Sequence, residues 1–128
     1  MNAHNQPTAP AQSLSISLLQ GALFAVIFSF PAALLLTTVY RFPIPFVGYA
    51  SGGGIEGITT VILAVFIYGN AGGFEVLAVG GAVAGAVAHR LGNNDRRRIR
   101  KLTIWLSIAV AFVACFVLSI LDKIIGPW

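Results

Sequence analysis

Arg90-Leu91-Gly92-Asn93-Asn94-Asp95-Arg96-Arg97-Arg98-Ile99-Arg100-Lys101 gathers six of the chain's eight lysines and arginines into twelve consecutive positions. The stretches on either side, 76–89 and 102–121, hold no Asp, Glu, Lys or Arg. A cationic block between two apolar runs is the pattern of a loop at a membrane face. Such loops resist translocation and stay cytoplasmic.

Composition agrees with membrane residence. Of 128 residues, 57% are hydrophobic and 9% charged, with a mean hydropathy of +0.86. A soluble domain carries about 25% charged residues, so too little polar surface is present to keep a globule dissolved. The fold class expected is all-α, a polytopic membrane helix bundle. The net charge of +4 does not indicate a nucleic-acid partner, because the excess sits in one loop beside membrane segments. The partner implied is the lipid bilayer.

Working outward from the loop, Leu102 to Leu121 runs for twenty residues without a charge, Gly or Pro, about 30 Å of helix and enough to cross the hydrocarbon core. Trp105 near its start and Trp128 beyond its end suit the two interfacial belts. The first apolar run covers about 16–40, with Pro31 inside it as a candidate kink. Pro43 and Pro45 end it. Between these spans the reading is harder. Ile58 to Tyr68 is apolar but only eleven residues long, roughly 16 Å of helix and too short to cross alone. Extension back to Phe46 supplies the length, and a third run covers 73–90. Gly69-Asn70-Ala71-Gly72 between them reads as a turn.

Four transmembrane helices are therefore expected, at about 16–40, 46–68, 73–90 and 102–121, within a domain covering 13–128. Residues 1–12 are expected to form a disordered polar tail. With the basic loop inside, both termini would be extracytoplasmic, in what we expect to be a cell inner membrane. Three spans plus a re-entrant segment at 46–68 is the alternative, which moves the N-terminus inside.

Few residues suggest chemistry. Glu56 and Glu75 are the acids nearest hydrocarbon, and a charge at the centre of a spanning helix costs on the order of 3 kcal/mol. Glu75 follows the expected outer turn, where water is near and the helix dipole favours an anion. Glu56 follows Gly52-Gly53-Gly54, so a helix broken there, with Gly53, Gly54, Glu56 and Glu75 along an ion or substrate path, is one reading. An interfacial or hydrogen-bonded Glu56 is the plainer one. Gly53-Gly54-Ile55-Glu56 is echoed by Gly72-Gly73-Phe74-Glu75, nineteen residues later; in a glycine-rich chain coincidence explains this more simply than duplication. The G-x-G-x-x-G at Gly52, Gly54 and Gly57 lacks the strand and βαβ setting that dinucleotide binding requires.

Small residues recur on the third run: Ala78, Ala82 and Ala86 at spacing four, and Gly81 with Gly85 as a GxxxG pair. Such faces let helices approach closely in lipid, either a neighbour in the same chain or another subunit of a homo-oligomer or larger membrane complex. Arg96, Arg97, Arg98, Arg100 and Lys101 orient the chain, and they also suit anionic lipid headgroups. Cys115 lies in an apolar run and reads as packing. His4 and His89 make no metal site with it. Neither metal nor cofactor is expected, and no phosphate-binding loop or nucleophile elbow occurs. The function expected is that of a small, non-enzymatic membrane protein, a structural or assembly component packing through a Gly/Ala helix face. An oligomeric channel or transporter using the Gly52–Gly57 break and Glu56 is the alternative.

Overall fold

The computed structural model describes residues 12–46, 48–50 and 55–125. Helices dominate: α1 (Leu14–Val39), α2 (Ile55–Tyr68), α3 (Phe74–Leu91) and α4 (Arg96–Ile125), with strands β1 (Phe42–Ile44) and β2 (Gly48–Ala50) between α1 and α2. Ser13 caps α1, its Oγ accepting from the Ile16 amide at 3.3 Å. This satisfies one of the orphan donors of the first turn. Pro31 sits inside α1 without ending it, on its exposed side.

Residues 42–50 correct the expected second span. Its proposed start at Phe46 lies in an antiparallel hairpin that pairs Phe42 with Ala50 and Ile44 with Gly48. Pro43 and Pro45 disfavour helix there, and Phe46 has φ +67°, outside helical geometry. Helix resumes at Ile55, and the resulting fourteen-residue α2 covers only about 21 Å.

The expected turn at 69–72 is a helix break at Gly69–Gly73. Ala71 (ψ 15°) and Gly72 (φ +108°) leave helical geometry inside it. The positive φ requires glycine. The two helices it joins do not lie along one another as a hairpin would. Helix α3 packs on the N-terminal half of α1, where Gly81 meets Gly21 and Ala25. Helix α2 packs on the C-terminal half, where Val61, Ala64 and Val65 share a core with Ala32, Ala33 and Leu36. Three described helices are long and apolar enough to cross a membrane: Leu14–Val39, the broken rod Gly57–Leu91, and Arg96–Ile125. The molecule is a helical bundle of the kind integral membrane proteins form.

Contacts set the directions. Gly21 faces both Gly81 and Gly85, and Ser17 faces Gly85 and His89, so α1 and α3 are antiparallel. Ser107 reaches Gly21 and Cys115 reaches Ser29, so α4 runs parallel to α1. The first turn of α1 and the α3–α4 turn share one end of the bundle. The end of α4 and Arg41 share the other, where Ser119 Oγ donates to the Arg41 carbonyl at 2.7 Å. Helix α1 therefore starts, and α4 finishes, at opposite ends, which does not fit two termini on the same side. Residues 1–11, most of the expected tail, lie outside the described residues. Gln12 is buried and donates to Gln20 Oε1 at 2.6 Å.

The α3–α4 turn is built by local chemistry. Asn93 and Asn94 adopt positive φ, which asparagine tolerates better than most residues. Asp95 then starts α4, its Oδ1 accepting from the Arg97 amide at 2.9 Å. An anion at a helix N-terminus also opposes the dipole favourably.

Candidate functional site

Three faces of small residues meet along the bundle axis. On α1, Ser17, Gly21, Ala25, Ser29, Ala33 and Thr37 recur every four residues and are all buried. On α4, Thr103, Ser107, Ala111, Cys115 and Ser119 do the same. Residues four apart share one helix face, so each helix presents a continuous groove to its neighbours. Helix α3 contributes Gly81 and Gly85. A Cβ at Gly21 or Gly85 would strike a backbone carbonyl of the facing helix, Gly81 or Ser17 respectively. This is backbone-to-backbone packing, the form association takes where lipid removes the hydrophobic drive.

The hydroxyls on these faces are spent on carbonyls. Ser107 Oγ crosses to the Gly21 carbonyl at 3.1 Å. Thr103 and Thr37 return to the carbonyls of Ile99 and Ala33 at 2.9 and 2.8 Å. Cys115 Sγ donates to the Ser29 carbonyl at 3.6 Å, a packed thiol in a helix core. Ser17 Oγ lies 3.4 Å from His89 Nδ1, but Ser17 is fully buried between α1 and α3, so no substrate reaches it. Among the described residues no three of His, Cys, Asp and Glu converge. Hydrogen bonds of this kind tie neighbouring membrane helices together.

Gly53 and Gly54 lie outside the described residues. Glu56 is the second residue of α2, and Glu75 is the second residue of α3 and exposed. The two Gly-Gly-apolar-Glu sequences thus mark two helix starts, and the acids are separated by the length of α2. Gly81 and Gly85 are buried against α1, whereas Ala78, Ala82 and Ala86 are half-buried at its margin. Arg96, Arg97, Arg98, Arg100 and Lys101 are exposed on the first turns of α4, and only Ile99 among them turns inward, over Gly92.

An opening lies beside the break between α2 and α3. A cleft of about 470 Å³ lies between the break and α4, lined by Tyr68, Gly69, Phe74, Leu77, Cys115 and Leu118. Aromatic rings frame this end: Phe30 lies 5.2 Å from Phe66 and 6.5 Å from Phe74, and Phe42 lies 6.5 Å from Tyr68. The sequence reading missed the four-residue faces of α1 and α4, although their recurrence was present to be counted. It had no signal for the cleft, which exists only because α2 and α3 diverge. No known protein family, curated protein or solved structure matches the chain.

Proposed function

We propose that this chain is a non-enzymatic, three-span component of a cell inner membrane that docks a membrane neighbour through α2 and the cleft beside it. Positive charge supports the orientation. The end holding Arg90 to Lys101 is cytoplasmic, and only Arg41 and Lys123 are left for the other end. The start of α1 is then cytoplasmic and the end of α4 extracytoplasmic. Reporter fusions after residues 13 and 125 are expected to read inside and outside, respectively. Two outside readings would restore four spans.

One observation carries the docking reading: α2 is apolar on its open side. The rod Gly57–Leu91 has 35 residues, about 52 Å if straight against a core of roughly 30 Å. A helix that exceeds the core must tilt or kink. The break at Gly72 does this, and it brings α2 against the last turns of α1. There Ile58, Leu63, Phe66 and Ile67 remain exposed, beside an open cleft. Gly81 and Gly85 already face α1 and are not free for a partner. In native membranes, Leu63→Cys in a Cys115→Ala background is expected to give a discrete cross-linked adduct. Its absence, with the same chain correctly inserted, removes the docking reading.

A transport reading is favoured by a separate observation. Two successive helices each start after a glycine pair and carry an acid on the first turn, Glu56 and Glu75, and helix breaks of this kind line ion and substrate sites in transporters. Glu56→Gln and Glu75→Gln in proteoliposomes test it. Flux and pH response unchanged in both would sink it.

A further inference from the structure

Ala82 and Ala86, which the helix contacts leave unused, form the floor of a second groove. It runs between α1 and α3 near the basic end, has a volume of about 390 Å³, and is walled by Leu14 and Leu18 on one side and Val79 and Val83 on the other. Arg90 closes it. From Val79 to Arg90 the groove follows α3 for about 16 Å, close to half of the roughly 30 Å hydrocarbon core. It is therefore one leaflet long, apolar along its length, and cationic at the end where headgroups lie.

Charge complementarity selects the occupant. Asp95 is the one described acid at this end of the bundle, and it is turned toward the Arg97 and Arg98 amides at the start of α4. Arg90 is exposed, and a guanidinium matches phosphate oxygens in a two-pronged geometry. Gly81 and Gly85 sit one position before Ala82 and Ala86 and bring α3 against the backbone of α1. The alanines are then recessed between the two rows of longer side chains, so an acyl chain fits where a leucine would fill the space.

We infer that this groove binds one acyl chain of an anionic phospholipid from the cytoplasmic leaflet, with its phosphate on Arg90. The site is separate from the Arg96–Lys101 cluster and independent of what α2 packs against. The test uses the full chain in detergent, titrated with phosphatidylglycerol or phosphatidylcholine and read by native mass spectrometry. One phosphatidylglycerol should be retained in preference to phosphatidylcholine. Arg90→Gln should weaken that retention about fivefold, the loss of one cationic contact near the surface. Ala86→Leu should weaken retention of both lipids by filling the groove, with helicity and thermal midpoint unchanged because residue 86 opens on the groove and not on the α1 backbone. Arg97→Gln, away from the groove, should leave retention as it was. Equal retention of the two lipids, or no response to Arg90→Gln and Ala86→Leu, overturns the site. A change in oligomer mass with Ala86→Leu overturns it as well, since the groove would then hold a second copy of the chain.

Discussion

The two ends of the bundle are held by different means. At the basic end, glycine meets backbone: Gly21, Gly81 and Gly85 leave no room for a side chain between α1 and α3. At the opposite end, bulk meets bulk, with Phe30, Phe66 and Phe74 in ring contact beside an open cleft. The contrast has a simple cause. Close approach of helix axes needs small residues in register on both helices, and α3 supplies them only after the break. Where α2 takes over, Val61, Ala64 and Val65 pack on Ala32 and Ala33, the aromatic rings gather near the break, and the space between the break and α4 is the cleft. One end is therefore joined backbone to backbone, with its groove outside the contact, while the other is joined through bulky side chains around an open cleft.

Substitutions should expose this asymmetry through unfolding in mixed micelles. Gly85→Leu has the largest expected effect, a loss of about 3 kcal/mol, because overpacking here meets a carbonyl and not a movable side chain. Unchanged stability would mean that α1 and α3 are not in backbone contact. Phe30→Ala should lose about 2 kcal/mol, from two ring contacts of roughly 1 kcal/mol each. Gly72→Ala should lose about 1–2 kcal/mol, since φ is +108° and an L side chain is strained there. A neutral result would show that the rod straightens at no cost. Ser107→Ala should be the mildest, about 0.6 kcal/mol for one hydrogen bond between membrane helices.

Much of the bundle was legible in the sequence. The span at 102–121 and the first span follow from apolar length, whereas the loop expected at 90–101 shrinks to a short turn and Arg96–Lys101 open α4. The middle was not legible. A span needs about twenty apolar residues, and the only apolar extension open to Ile58–Tyr68 in the sequence runs back into residues that pair as a hairpin. Gly69–Gly73 has the composition of a reversal, yet glycines permit both a reversal and a mere kink, and composition cannot separate them. Gly81 and Gly85 were visible as a packing face. That the facing helix is α1, and that Ala82 and Ala86 border a groove instead, depends on the rotation of α3 about its own axis.

Charge and apolar length in the sequence alone determined that the chain is built for a bilayer and that its basic block marks one face, because transfer energies depend on residue type and run length and not on neighbours. The tertiary structure decided which described helices are long and apolar enough to cross and which ends they share. It also decided which small residues are spent inside the bundle. These properties depend on the direction the chain takes after Gly72, where glycine permits the positive φ of the break and packing against α1 selects among the directions it allows.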